Sequence, residues 1–138
     1  MNTLIKNVPI AKVGKILDGR EITHCMLERC VETFDFYHYP VPVGTPFKSI
    51  ELEHRVKRMG KILTLKLENN TLLADIKIFR SPEYTKRLNL FPAILYSVLD
   101  APSLLAVRLT SRRNRADDIA IKDCDISETN KRGRHKGL

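Results

Sequence analysis

Apolar residues return at every third or fourth position between residues 22 and 34. Leu27, Cys30, Val31 and Phe34 share one face there, and charged residues fill the other. With Thr23 where an N-cap belongs, the spacing predicts an amphipathic helix. Elsewhere the period is two. Residues 61–67 alternate, with Ile62, Leu63, Leu65 and Leu67 apolar, and residues 71–79 return in the same way. Asn69-Asn70 between them suits a tight turn, because asparagine tolerates positive φ, so the pair predicts a β-hairpin. Residues 10–17 and 49–53 read as strands, 93–99 and 104–110 as buried strands, and 118–124 as a final strand. Residues 35–48 carry Pro40, Pro42, Gly44 and Pro46, too many breakers for an element, and read as a loop. Ser81-Pro82-Glu83 has the N-cap, the first-turn proline and the first-turn acid of a second helix, ending near Asn89. Six or seven strands and two helices make an α+β domain, a mostly antiparallel β-barrel or curved sheet.

Composition narrows the class. A chain of 138 residues, 43% hydrophobic, suits one domain with one modest core. We expect residues 1–126 to form it and residues 127–138 to be a basic, disordered tail without apolar period. No apolar run approaches the ~20 residues of a membrane helix. The first six residues lack the apolar run of a secretory leader, which predicts a cytosolic protein without membrane partners. Cys25, Cys30 and Cys124 are odd in number and lack CxxC spacing, which argues against a disulfide framework or a zinc site, and Cys30 is expected in the core.

The formal net charge of +8 favours polyanions. It concentrates in the loop cluster Arg112, Arg113 and Arg115 and in the tail residues Lys131, Arg132 and Arg134. Without them the body is nearly balanced, and without tryptophan there is no aromatic platform for bases. A small basic nucleic-acid-binding protein is therefore one functional reading, and a solvated loop is the plainer account of the cluster.

His54 ends the 49–53 strand, Asp18 precedes Gly19, and Ser97 lies on the 93–99 strand. Taken singly, each has a plain explanation: a strand-end histidine with one structural hydrogen bond, a turn former, and a small residue on a buried strand. Taken together, a hydroxyl, a base and an orienting acid are the components of nucleophilic catalysis.

The order of motifs carries a resemblance. Leu17-Asp18-Gly19-Arg20-Glu21-Ile22-Thr23, a helix ending in Val31-Glu32-Thr33-Phe34-Asp35, and Glu51-Leu52-Glu53-His54 follow one another. Gly60-Lys61-Ile62-Leu63, Leu72-Leu73-Ala74-Asp75-Ile76 and Tyr96-Ser97 come next. Over about residues 10–125 this resembles the capsid-scaffolding serine peptidases of tailed phages, a branch of the prohead proteases. The resemblance implies a β-barrel related to herpesvirus maturation proteases. It implies Ser97 as nucleophile, His54 as base and Asp18 as the acid, with Arg112 or Arg113 as a donor to the oxyanion. It also implies capsid or scaffold protein as partner, self-association, and a place in the host cytoplasm or the prohead interior; no cofactor or metal is implied. Residues 98–102 match the family poorly, and Ser103 and Ser111 are rival nucleophiles. A catalytically silent homologue, acting as a capsid-assembly or host-inhibitor module, is the alternative on the same fold.

Overall fold

The computed structural model describes residues 2–37, 41–46, 56–97 and 103–129. Strand β1 (Asn2–Lys12) is followed by two short strands, β2 (Gly14–Lys15) and β3 (Glu21–Ile22), and by helix α1 (His24–Tyr37). Strands β4 (Pro42–Pro46), β5 (Val56–Glu68) and β6 (Thr71–Ile78) come next, then the one-turn helix α2 (Pro82–Thr85). Strands β7 (Phe91–Ser97), β8 (Ser103–Thr110) and β9 (Asp125–Thr129) complete the order. Seven strands form one sheet in the order β7-β8-β4-β5-β6-β1-β9, while β2 and β3 pair separately. Every neighbour in the large sheet is antiparallel except β4 and β8. Among the described residues the sheet is not closed, so the predicted α+β class with two helices holds and a barrel is not seen. The sheet does bend far enough for β1 to approach β7.

The hairpin and the first helix form as their patterns predict. Asn69 and Asn70 have φ of 51° and 64°, the left-handed pair of a two-residue turn, and Glu68 faces Thr71 across it. In α1, Leu27 and Cys30 are fully buried while Val31 and Phe34 pack against the same core. The Thr23 hydroxyl caps the helix by accepting from the Met26 amide at 3.2 Å.

Five expectations are corrected. The 10–17 strand is the end of a longer one: β1 begins at Asn2, stops at Lys12, and Gly14 breaks it at φ 126°. A bulge at Lys6-Asn7 hides this strand in the sequence. Asn7 has φ 52° and its amide bonds to Asp75 Oδ1 at 2.9 Å, which resets the alternation so that Ile5, Val8 and Ile10 all face the core. The 35–48 segment is no loop where it is described: α1 continues to Tyr37 and β4 occupies Pro42–Pro46. Its prolines stand at the ends of the strand, where a missing donor is tolerated, and Val41 and Val43 are buried. The second helix is one turn only. Ser81 Oγ accepts from the Tyr84 amide at 3.2 Å as predicted, but the chain turns away after Thr85. Residues 118–124 are not a strand. Ile119 and Ile121 have the spacing of a strand, but Ile119 is exposed while Ile121 is buried, and Ile121 anchors a 3-10 turn whose amide bonds to the Leu90 carbonyl at 2.8 Å. The last strand is β9, paired with the start of β1, so residues 127–129 belong to the sheet and not to the tail expected from residue 127. The 49–53 strand lies outside the described residues.

Burial sets the cysteine chemistry. It pushes the Cys30 thiol up to about 12 and the Cys124 thiol up to about 11, whereas Cys25 is exposed. Iodoacetamide at neutral pH is expected to modify Cys25 alone in the folded protein, with Cys30 and Cys124 reacting after unfolding, as intact-mass measurement will check. The linkage has a definite sign. A thiol whose folded pKa lies above its unfolded value keeps its full contribution below pH 9, and stability falls as pH rises toward 12. For Cys30 that slope is about 1.4 kcal/mol per pH unit, and Cys30→Ala should flatten it in alkaline urea titrations.

Candidate functional site

Asp18 sits on the turn joining β2 to β3. The turn closes through Ile16 N to Arg20 O at 2.9 Å and Gly19 N to Ile16 O at 3.0 Å. Asp18 accepts from the Arg20 amide at 2.9 Å and from the Arg20 guanidinium at 2.7 Å. The Arg20 side chain, then its amide, holds the Asp18 carboxyl below the usual carboxylate value. The turn is pinned to the loop after β8 by Leu17 N donating to Asn114 O at 2.6 Å.

A cleft of about 540 Å³ opens beside β7. Ile16, Arg20, Glu21 and Ile22 form one wall, and Met26 of α1 closes another. Residues 93–96 of β7, with Arg108 and Thr110 of β8 and Asn114, form the remainder. β7 is an edge of the sheet, so main-chain groups along its outer side have no strand neighbour among the described residues. Tyr96 is half-buried in the cleft, and burial raises its phenol above the ordinary value, keeping it a neutral donor. Ser97 follows it as the last residue of β7, half-buried and facing Ser103 across the ladder.

The structure separates the other candidates from Ser97. Phe91 and Ser97 are the two ends of β7, about 20 Å apart at the rise of a strand. Asp18, Ser111, Arg112 and Arg113 gather with Phe91 around a second groove, and the Arg113 guanidinium lies over the Phe91 ring at 4.6 Å. Arg112 and Arg113 are thereby removed as donors to an oxyanion formed at Ser97, and Asp18 is committed to Arg20 at the same far end. His54 lies outside the described residues, as do Lys131, Arg132 and Arg134.

The basic loop is largely a self-contained structure. Asp118 Oδ2 accepts from the amides of Asn114 at 2.7 Å and Arg115 at 2.9 Å. Arg115 pairs with Asp117 at 3.2 Å and reaches the Lys15 carbonyl, while Arg113 Nε donates to the Asp118 carbonyl at 3.3 Å. Two of the three loop arginines proposed for nucleic acid therefore brace the loop, and two aspartates offset their charge. Among the described residues no cluster of three or more His, Cys, Asp or Glu side chains could hold a metal ion. No helix among them is long and apolar enough to cross a membrane.

Sequence reasoning passed over Arg108. It is the only charge in 104–109, an otherwise apolar strand, which was its visible signal. Its side chain lines the cleft, and its Nε is buried without a hydrogen-bond partner. Fold and site together define an α+β protein with a polar-and-apolar cleft along the edge strand of an open, mostly antiparallel sheet. No family model matches the chain, and no curated protein and no solved structure matches it either.

Proposed function

We propose that the cleft along β7 holds an extended peptide and that Ser97 is the nucleophile of a serine endopeptidase of the capsid-maturation type. Its substrate would be scaffold or coat protein, met in the host cytoplasm or prohead interior. The observation that carries this reading is the continuity of cleft and serine: residues 93–96 line the cavity and Ser97 follows directly at its end. A peptide added to a free strand edge gains main-chain hydrogen bonds along its length, and its side chains find the apolar lining residues Ile22, Met26 and Leu95. That binding mode delivers a peptide carbonyl to the end of β7. Ser97 Oγ attacks it, His54 takes the hydroxyl proton and passes it to the departing amine, and water then hydrolyses the acyl-enzyme by the same route. Asp18 serves to shape the wall through Arg20 in this reading.

The test is labelling with a fluorophosphonate, read by mass on Ser97, together with cleavage of phage scaffold protein. Ser97→Ala and His54→Ala should each abolish labelling and lower cleavage by at least about 10³-fold. Undiminished cleavage by Ser97→Ala rejects the assignment. A second reading, a peptide-binding assembly or inhibitor module without catalysis, is favoured by the engagement of Asp18 with Arg20. It predicts peptide binding with no labelling of Ser97.

A further inference from the structure

Among the described residues Arg108 has no ion-pair partner, and its shielded Nε has no hydrogen-bond acceptor. Its strand neighbours Val107 and Leu109 are buried in the core, and Ala93 faces it across the β7 ladder. None of the ion pairs among the described residues includes it, and its Nε makes no hydrogen bond although it is shielded from water. An ionised donor left unmade in a shielded position is costly, and an arriving acceptor removes that cost. The other cation of the cleft, Arg20, is already neutralised by Asp18 at 2.7 Å. Among the described residues, Arg108 is therefore the cation of the cleft lining without an ion-pair partner, and Glu21 of the same lining lies beyond ion-pair distance of it.

We infer that Arg108 is a specificity residue that selects peptides carrying an acidic side chain in the cleft. The guanidinium matches a carboxylate through two parallel hydrogen bonds. A carboxylate entering from the cleft takes the terminal nitrogens, and a small rotation of the guanidinium brings Nε into the side-on pair. Tyr96 and Asn114 stand on the same cleft as further polar groups, and the Tyr96 phenol is held neutral. Two features select an acidic peptide over a polyanion. One lone guanidinium suits one carboxylate, whereas a nucleic acid draws its affinity from many cations. Glu21 on the same cleft repels a string of phosphates more than a single acid set among apolar side chains. The inference rests on the reading of the cleft as a peptide groove, but it does not require Ser97 to be catalytic.

The experiment uses the full chain bearing Ser97→Ala, so that no peptide is consumed. Two pools of fluorescent, end-blocked decapeptides, randomised except for a central Glu or a central Gln, are compared by anisotropy at fixed low salt. The Glu pool should bind at least about tenfold more tightly, the scale of one charge-assisted hydrogen-bond pair. Arg108→Met should erase the preference and Arg108→Lys should restore part of it. The comparison of pools on unaltered Arg108 stands even where the Met variant fails to fold. Equal binding of the two pools overturns the inference while leaving a peptide groove intact, and so does a preference that survives in a folded Arg108→Met protein. Absence of binding to both pools overturns inference and groove together. Acid-selective binding alongside a Ser97 that resists fluorophosphonate in the unaltered chain supports the inference and rejects the peptidase.

Discussion

Gly60→Ala is expected to destabilise the fold by about 3 kcal/mol, at the severe end for a single methyl group. Gly60 faces Val43 of β4 on one side and Ile78 of β6 on the other. A Cβ there would clash with the Lys77 carbonyl oxygen, with the Lys77 carbonyl carbon 3.0 Å and the Ile78 Cα 3.1 Å away. These are backbone atoms of a paired strand, so they cannot swing aside as a side chain can. Relief requires prising β6 from β5 at the point where their ladder begins, and the ladder continues through Lys61 facing Lys77. Gly19→Ala is the control. Gly19 has φ 93° with open space around the added methyl, so the strain of a positive φ is its whole cost, about 1–2 kcal/mol. Urea midpoints should rank wild type above Gly19→Ala and Gly19→Ala above Gly60→Ala, with the last melting about 10 °C low. A Gly60→Ala protein as stable as wild type would mean that β5 and β6 are not packed as described.

Ile5→Ala carries a cost of the same order, about 3–4 kcal/mol. Ile5 is fully buried and faces Ile76 on β6 and Ile126 on β9. Truncation removes three carbons from a position held by strands on both sides, so the cavity has little freedom to collapse. The same change distinguishes two accounts of the N-terminus. If the chain became ordered only from residue 10, Ile5→Ala would be close to neutral. A loss of several kcal/mol in chemical denaturation, with m unchanged, is the outcome expected when β1 starts at Asn2.

The contrast between β1 and the β5–β6 hairpin shows which signals a chain exposes. In the hairpin, burial alternates on the second strand from Thr71 to Ile76 and the turn residues are adjacent, so residues 61–79 were legible. In β1 the alternation slips at Asn7, and the partner that stabilises the slip, Asp75, is far away in sequence. Strand β4 failed for a related reason. Its prolines are local breakers, and what overrides them is burial between β5 and β8, a tertiary effect. Residues 118–124 erred in the other direction, because Ile119 and Ile121 imitate a period that the turn at Ile121 does not have.

The candidate site divides in the same way. Local chemistry was sufficient to mark Asp18 as a turn former, since its acceptor role toward the Arg20 amide spans two residues. Ser97 was recognisable as a strand residue, and Cys30 as a core residue, from periodicity alone. Sequence therefore determined the α+β class, the hairpin, the buried face of α1 and the capping of both helices, because each depends on residues within one or two turns of one another. Tertiary structure alone decided that Arg112, Arg113 and Asp18 gather at the far end of β7 from Ser97. It alone set Arg108 on the cleft lining with its Nε buried and without an acceptor among the described residues. Both follow from how distant strands are ordered in the sheet, and strand order is set by burial across the whole chain, which no short stretch of residues encodes.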